Sequence, residues 1–435
     1  MVLSIIICAL TCALLISCVL IKPTVKVHGH NVALYVVPPV VGAILLVVLG
    51  CISLPEVIEG LTRDSEVNPI KILILFFSMT LISVILDEAG FFLWLASAVM
   101  KRAGHSKIRI FLILCITVSV LTVFTSNDII VLTFTPFLCF FCKNVGIDPI
   151  PFLFCEFVAA NTWSMALIIG NPTNIYLCSS AGADFFGYVK VMALPTAVSG
   201  VVSLGMMLLI FGKKLLSRES EMQCDGAPAV KLSDKPTTAL ALIFLSVCVL
   251  TLSVSSFLAL PMWIIALSFF MGLYFTVFAE THLRHKSEGI ISRSIKRAPF
   301  EMVPFVISMF ILVLALDKCG ATGKLGDFLG TNGVFTYGIA SFFSANLINN
   351  IPMSVLFSSI AASGAQASAG ALYASVIGSN LGAFLTPIGA LAGIMWTGML
   401  GTYGVKLSFG KFIKYGAIIS IPTLLATLMA LWIVV

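Results

Sequence analysis

Three polar residues, Ser126, Asn127 and Asp128, interrupt a long apolar stretch of the chain. The runs on either side, Ile108–Val123 and Ile129–Phe141, are too short or too broken to cross a bilayer comfortably, yet too apolar for a surface loop. Backbone that leaves helical hydrogen bonding at membrane depth is tolerated only when it is buried in protein or lines a wet cavity. The stretch therefore predicts a re-entrant hairpin whose tip belongs to a binding site.

The low content of charged residues indicates that the whole chain is a membrane protein. Only 10% of the residues are charged and the mean hydropathy is +1.11, whereas about a quarter are charged in soluble domains. The first apolar run, Met1–Ile21, has no Lys or Arg before it and no convincing cleavage site after it, which favours a retained span over a signal peptide. The net charge of +6 comes from short loops between spans, so no nucleic-acid partner is expected.

Apolar segments of about 20 residues predict the order of the spans. The first part has spans at Val2–Ile21, Val32–Leu54 and Ile70–Leu86, a short interfacial segment at Phe91–Met100, the hairpin, a helix from Pro151 that is interrupted at Gly170–Asn174, and a span at Phe185–Phe211. The second part has spans at Ala239–Ser256, Pro261–Phe278 and Val303–Leu316, a hairpin at Val334–Ala362 with its tip at Asn349–Pro352, a helix from Ala371 that is interrupted at Thr386–Gly389, and a span at Phe412–Val435.

The two parts repeat each other in sequence as well as in the order of their elements. The matching residues are the pairs Ser78 and Ser308, Leu86 and Leu316, Asp87 and Asp317, Gly90 and Gly320, Asn127 and Asn349, Asn161 and Asn380, and Gly170 and Gly389. We therefore expect an all-α polytopic membrane protein with about ten spans and two hairpins, built from two inverted repeats. Each repeat has three spans, a re-entrant hairpin, a broken helix and a final span. The predicted domains are residues 1–212 and 237–435, joined by a cytoplasmic linker, 213–236.

The distribution of Lys and Arg predicts the orientation in the membrane, because short cytoplasmic loops carry an excess of both. Of the 25 basic residues, all but five lie on one predicted face, and the five on the other face are Arg63, Lys71, Lys190, Lys318 and Lys324. The basic-rich face is expected to be cytoplasmic, with both termini outside. The first hairpin then enters from the cytoplasm and the second from outside, which makes the repeats inverted.

This plan favours a secondary transporter over the other classes of membrane protein. In such carriers the solute and coupling-ion sites lie near the bilayer midplane, where interrupted helices expose their amino ends and free carbonyl groups. An enzyme is disfavoured because the chain has no His-Glu-x-x-His motif and no nucleophile elbow with its partners, and its five histidines lie in loops. An ion channel is disfavoured because no ring-forming repeat of carbonyl or charged residues is visible in one chain.

The chain resembles the ArsB-type arsenite efflux pumps, within a superfamily that also holds NhaD-type antiporters and sodium/dicarboxylate symporters. The segments that carry the resemblance are Leu86–Phe92, Ser126–Asp128, Ala183–Gly187, Asn349–Pro352, Tyr373–Gly378, Leu381-Gly382 and Thr386–Gly389. The resemblance implies an elevator-type carrier that moves a small oxygen-rich solute against an ion gradient. ArsB-type pumps tend to carry an acid in each broken helix, where this chain has Asn161 and Asn380. In addition, Gly170–Asn174 is more similar to the anion permeases of the superfamily.

The candidate site consists of the polar and helix-breaking residues at the four interruptions. We expect solute or ion binding by Ser126, Asn127, Asp128, Asn161, Gly170, Asn171, Pro172, Thr173, Asn349, Asn350, Ser379, Asn380, Thr386, Pro387 and Gly389. Asp128 and Glu156 are the candidates for coupling, because an acid at membrane depth is a functional hypothesis by default. For Asp128, Asn127, Asn349 and Asn350 the alternative is a helix-capping role, and for Asp87 and Asp317 capping is the preferred interpretation.

Function remains open at the level of the solute. The leading hypothesis is export of arsenite or antimonite coupled to H+ or Na+, and the alternative is ion-coupled transport of a small anion such as a dicarboxylate. Cys139, Cys142 and Cys155 are interpreted as apolar filler, because three thiolates would hold trivalent arsenic too tightly for turnover. The predicted partners are a small oxyanion or neutral oxyacid and the lipid bilayer, with a homodimer as one option. We expect no metal, no cofactor and a location in the inner (plasma) membrane.

Overall fold

A computed structural model describes residues 2–21, 24–27, 30–63, 68–103, 106–180, 183–216, 231–283, 289–330, 333–363 and 369–435. Two predicted segments fall partly outside these residues. The linker 213–236 includes 217–230, and the loop before the second broken helix includes 364–368, so neither segment is described in full.

The regular structure of the described residues is helical apart from one short β-hairpin. The first half contains α1 (Val2–Ile21), β1 (Thr24–Val27), β2 (His30–Ala33), α2 (Val37–Val48), α3 (Leu54–Thr62), α4 (Pro69–Glu88), α5 (Phe91–Ala103), α6 (Lys107–Phe124), α7 (Asn127–Val145), α8 (Ile150–Trp163), α9 (Pro172–Ser180) and α10 (Phe185–Leu216). The second half contains α11 (Lys235–Ser253), α12 (Ser255–Leu258), α13 (Met262–Leu283), α14 (Ile290–Lys296), α15 (Met302–Lys318), α16 (Ala321–Leu329), α17 (Val334–Ile348), α18 (Asn350–Ser363), α19 (Ala369–Gly382), α20 (Leu391–Thr402) and α21 (Phe409–Val434).

Seven of the described helices are long and apolar enough to cross a membrane, namely α4, α6, α7, α10, α11, α13 and α21. An eighth is reached if α15 and α16, which are bent by 81° against each other, count as one span. The set includes α6 and α7, the two arms of the first predicted hairpin, which have 18 and 19 residues. The expectation that these arms are too short is therefore wrong as to their length, and the interruption between them lies where the sequence predicted it.

By contrast, the helix in the segment predicted as a single span at Val32–Leu54 is shorter than expected. Its first residues belong to β2, which pairs antiparallel with β1, and a 3-10 turn at Leu34–Val36 leads into α2. Pro38 and Pro39 lie in the first turn of α2, where a missing N–H is harmless. Gly50, which has φ +69°, follows the end of the helix. An apolar, valine-rich run thus looks continuous in sequence although the chain turns at both of its ends.

The matching glycines of the two halves have the same left-handed backbone conformation. Gly90 follows α4 with φ +85°, and Gly320 follows α15 with φ +72°, so each long helix ends at a left-handed residue before a short helix begins. An L-residue with a side chain rarely adopts this conformation. The acid three residues before each glycine accepts a hydrogen bond from a threonine hydroxyl. Asp87 accepts from Thr133 on α7, and Asp317 accepts from Thr322 on α16.

Packing between the halves follows a pseudo-twofold pattern. Helix α2 packs on α15 and α4 packs on α13, while the two final helices, α10 and α21, pack on each other. The second arm of each hairpin packs across the halves as well: α7 lies against α20, and α18 lies against α9. Such an exchange is expected of two repeats related by an axis in the membrane plane, and it brings the interruptions of both halves into one region.

Candidate solute and ion site

The first broken helix is interrupted by a compact polar loop. Helix α8 ends at Trp163, two 3-10 turns span Ser164–Gly170, and α9 starts at Pro172. A β-carbon on Gly170 would lie 2.2 Å from the carbonyl oxygen of Ser164, so the loop closes on itself only because this residue is glycine. The Asn171 side-chain oxygen accepts from the Thr173 N–H and so caps the first turn of α9.

The side chain of Asn380, in the second broken helix, joins α19 to this loop by hydrogen bonds. Its Oδ1 accepts from the Ser164 hydroxyl (2.8 Å) and from the Asn171 amide (3.0 Å), and its Nδ2 donates to Asn174 Oδ1 (2.8 Å) and to the Val376 carbonyl (2.8 Å). These four contacts use both the donors and the acceptor of the side chain. In this arrangement Asn380 joins the two broken helices, and its side chain binds protein atoms.

The tip of the first hairpin, between α6 and α7, contacts the last turn of α8, directly before this loop, through one amide pair. Asn127 Nδ2 donates to Asn161 Oδ1 at 3.1 Å, and Asn161 Nδ2 donates back along its own helix to the Phe157 carbonyl. Ser126 occupies the N-cap position of α7, but its hydroxyl makes no capping hydrogen bond. Asp128 is half-buried in the first turn of α7 and forms no hydrogen bond or ion pair with the described residues. No hydrogen bond within the described chain therefore supports a helix-capping role for the Asp128 carboxylate.

The tip of the second hairpin, between α17 and α18, is held against the second interruption. Asn349 Nδ2 donates to the Ile388 carbonyl at 3.0 Å, and the Asn350 N–H donates to the Gly389 carbonyl at 3.1 Å. Asn349 has φ 73° and ψ 153°, a region that residues other than glycine almost never occupy. The strain, on the order of 1–3 kcal/mol, is opposed by these contacts, which fix the tip in one conformation.

Asn346 on α17, which the sequence analysis did not single out, ties the second interruption to this hairpin. Its Oδ1 accepts from both the N–H (3.1 Å) and the hydroxyl (2.7 Å) of Thr386, and its Nδ2 donates to the Gly382 carbonyl (3.0 Å). A β-carbon on Gly389 would lie 2.9 Å from Asn346 Oδ1 and 2.5 Å from the Gly382 carbonyl, so this interruption also depends on a glycine. An Asn inside an apolar helix is the sequence signal that could have identified Asn346.

Glu156 lies apart from these contacts, in a cluster of its own. The Thr135 hydroxyl lies 3.2 Å from Oε1 and 3.1 Å from Oε2, and the indole Nε1 of Trp396 donates to Oε2 at 3.2 Å. The carboxyl group is fully buried. Glu156 lies five residues before Asn161 on α8, which corresponds to about 7.5 Å along the helix. Neither Thr135 nor Trp396 was predicted.

Several buried polar atoms at the interruptions have no protein partner among the described residues. They are Ser126 Oγ, Asn127 Oδ1, Thr173 Oγ1, Asn350 Oδ1 and Ser379 Oγ. A buried polar group without a partner costs about 1–3 kcal/mol, and native proteins contain few of them. Three of these atoms are hydroxyls, which both donate and accept, and two are amide oxygens, which only accept. Such a set suits a small solute that carries hydroxyl groups or oxygens.

Most of the predicted site residues fall into three groups. Side chains that are hydrogen-bonded to protein are those of Asn161, Asn171, Asn349, Asn380 and Thr386. Buried unpartnered atoms belong to Ser126, Asn127, Thr173, Asn350 and Ser379, and the residues that act through the backbone are Gly170, Pro172 and Gly389. Asp128 belongs to none of these groups. Pro387 faces a different space, a mainly apolar cavity of about 210 Å³ between α20 and the start of α21. Within the described part of the chain, no hydrogen bond joins the two hairpin tips. Ser164 and Asn174 are further contributors that the sequence analysis did not list.

Repeated helical halves with interrupted helices, joined through buried amide groups, define an integral multi-pass membrane transporter. The family model of the citrate transporters (CitMHS) matches residues 31–378, so the chain belongs to that family. It is similar to the arsenical pump membrane protein of Escherichia coli K12, with 28% identity over 371 residues, which cover 82% of this chain and 84% of that protein. A putative arsenical pump membrane protein of Bacillus subtilis is 22% identical over 91% of this chain and 93% of its own length.

The fold is also similar to that of a solved structure, the YdaH transporter of Alcanivorax borkumensis. The TM-score is 0.56 at 12% identity, covering 99% of this chain and 97% of that one. The match extends over the whole described arrangement and agrees with the expected fold class. The relatives are transport proteins, which indicates a transport role and not an enzymatic one.

Proposed function

We propose that this protein exports arsenite or antimonite from the cell in exchange for a coupling cation, H+ or Na+. The observation that carries the proposal is the set of unpartnered hydroxyl and amide oxygens at the interruptions, together with the sign of the charge beside them. Arsenite at neutral pH is a neutral acid with three hydroxyl groups, and each can donate to an amide oxygen or exchange hydrogen bonds with a hydroxyl. The charged side chain at the tips is the acid Asp128, which repels an anionic solute but tolerates a neutral one.

Thiol chemistry is not needed for this recognition. The described cysteines of α7 and α8, Cys139, Cys142 and Cys155, are buried and make none of the hydrogen bonds that join the interruptions. Oxygen-based contacts hold a solute more weakly than thiolates hold arsenic, so release on the far side of the membrane remains fast. The arsenical pumps among the relatives support the same solute class.

Coupling is assigned to Asp128. A carboxylate at membrane depth costs several kcal/mol unless a proton or cation neutralises it, so the hairpin moves only when the site is occupied. We further propose that the broken helices and hairpins move together as an elevator against α1, α2, α11 and α13. The plasma (inner) membrane is the location at which such export removes the solute from the cell.

A second candidate is ion-coupled transport of a small carboxylate. Two observations favour it: the matching family model is described as a citrate transporter, and α7 begins with no side-chain cap, which leaves the positive end of its dipole available to an anion. In this case Asp128 must hold a cation whenever the anion is bound, so transport would require sodium or a proton absolutely.

Transport in cells and liposomes separates the two candidates. Expression in cells that lack their own arsenite exporter should restore growth on arsenite, and purified protein in liposomes should exchange labelled arsenite but not a dicarboxylate. Unchanged tolerance together with faster dicarboxylate entry would refute the arsenite proposal.

A variant pair tests whether the unpartnered atoms bind the solute. Ser126→Ala removes a buried hydroxyl that has no protein partner, and it is expected to weaken arsenite binding without loss of folding. Ser119→Ala is the matched control, because the Ser119 hydroxyl is also buried on the same hairpin but donates to the Cys115 carbonyl. Equal apparent affinities for arsenite in both variants would count against a role for Ser126.

A further inference from the structure

The carboxyl group of Glu156 lies between three helices that begin or end at interruptions. Glu156 belongs to α8, Thr135 to α7 and Trp396 to α20, so the cluster joins the first hairpin, the first broken helix and the second broken helix. Thr135 lies seven residues beyond Asp128, which is about 10 Å along α7. The cluster is therefore a separate site from the hairpin tip, but it is on the same rigid elements.

The surroundings of this carboxyl group are buried and aromatic. The Trp396 ring stacks on Phe157 with centroids 5.0 Å apart and meets Phe154 and Phe412 edge-on, each at 5.7 Å. Within the part of the chain that the structure describes, no Lys, Arg or His nitrogen lies within ion-pair distance of the carboxylate. The titratable side chains in electrostatic range are the thiols of Cys139 on α7 and Cys155 on α8, which supply no positive charge. An ionised carboxylate without a cation is very costly in such a place.

The hydrogen-bond partners show which oxygen can carry a proton. An indole N–H only donates, so Oε2, which receives Trp396 Nε1, remains an acceptor. Oε1 is contacted by the Thr135 hydroxyl alone, and a hydroxyl can either donate or accept. When a proton adds to Oε1, the Thr135 hydroxyl turns from donor to acceptor and both carboxyl oxygens stay hydrogen-bonded. The cluster thus accommodates the ionised and the neutral form without a change of partners.

From this geometry we propose that Glu156 is a second proton-binding site of the carrier, distinct from Asp128, and that its proton crosses the membrane with the moving helices. Sodium does not fit, because it requires several oxygen ligands, whereas this carboxylate faces one hydroxyl, one N–H donor and aromatic rings. The inference rests on the proposed export function and adds to it a site for the coupling ion. Two acids then move in neutral form in each cycle.

Accumulation of arsenite at equilibrium in proteoliposomes tests the proposal. With the voltage clamped to zero, each coupled proton multiplies the accumulation about tenfold for a pH gradient of about one unit. Glu156→Gln keeps an acceptor for Trp396 and a donor for Thr135, so the variant should fold, exchange arsenite in counterflow and accumulate about tenfold less. Glu59→Gln, at an exposed position on α3, is the matched control and should behave as wild type.

A second variant tests the proposal independently, in case Glu156→Gln fails to fold. Thr135→Val preserves the shape of the side chain but removes the group that switches at Oε1, so it should shift the pH midpoint of arsenite counterflow. Wild-type accumulation in Glu156→Gln, or an unchanged pH midpoint in Thr135→Val, would overturn the assignment while leaving arsenite export intact. Absence of arsenite counterflow in the wild-type protein would instead refute the export function itself.

Discussion

Replacing Asp128 by Asn removes the charge of the first hairpin tip while keeping its shape. The corresponding position in the second hairpin is already the neutral Asn350, so the two tips become alike in charge. Without a charge to neutralise, the hairpin no longer needs a cation in order to move. We therefore expect Asp128→Asn to lose most of its gradient-driven accumulation of solute while solute exchange without a gradient persists.

The size of the effect follows from the position of the side chain. A carboxylate near the centre of the bilayer costs about 2.5–3.5 kcal/mol on insertion scales. The amino end of α7 offsets about 0.3–1 kcal/mol of that cost, because Asp128 lies in the first helical turn. A net barrier of about 2 kcal/mol corresponds to a factor of about 30. Uncoupled movement of the carrier should rise by about this factor in the variant.

The assay compares counterflow with gradient-driven uptake of arsenite by purified protein in liposomes. Asp327→Asn, an exposed acid on α16, controls for the change in total charge. Asn350→Asp is the reciprocal change, which should slow movement or increase its dependence on the ion. Full gradient-driven accumulation by Asp128→Asn would refute this reasoning and leave Asp128 without a coupling role.

Three further predictions concern stability. Asn380→Ala leaves several partners without a hydrogen bond, so the free energy of unfolding in detergent should fall by about 2–4 kcal/mol, and a fall below about 0.5 kcal/mol would contradict the joining role. Asn349→Gly should be more stable than Asn349→Ala by about 1–2 kcal/mol, because only glycine accepts this backbone conformation without strain; equal melting temperatures would contradict it. Hydrogen bonds from Lys318, and then from Ser53, lower the pKa of Glu56 from 4.5 to about 2, so its contribution to stability is present above about pH 4.5 and is lost as the pH falls toward 2. The wild type should therefore lose more stability than Glu56→Gln over that range of acid unfolding.

Local signals allowed the main elements to be predicted from the sequence. The tip at Ser126–Asp128 and the interruption at Gly170–Asn174 were recognisable because polar residues, Gly and Pro within apolar runs end helices wherever they occur. The span Val32–Leu54 was predicted too long for the opposite reason. Hydropathy does not distinguish a strand end or a 3-10 turn from a helix when the residues are apolar, as in Val32 and Ala33 of β2 and the turn Leu34–Val36 before α2.

Partner choice across the fold was beyond the reach of sequence patterns. Asn161 and Asn380 were chosen together because they occupy matching positions, yet Asn161 contacts the hairpin tip and Asn380 contacts the opposite loop. The pairing of Asn346 with Thr386, and of Glu156 with Trp396, depends on which helices become neighbours after folding. Sequence similarity of the repeats predicts equivalent places in the chain but not equivalent contacts.

The contact between Ser164 and Asn380 has a consequence for how the protein is made. The two residues are separated by 216 positions, so Asn380 leaves the ribosome about 10–40 s after Ser164 at ordinary rates of synthesis. During that interval the first broken helix is in or near the membrane, and its polar loop lacks the hydrogen bonds that Asn380 later supplies. Helices α18 and α20, which cover α9 and α7, are also still to come. The first half must therefore be sheltered by the insertion machinery, and a chain arrested before α19 is expected to be recognised by membrane quality-control proteases.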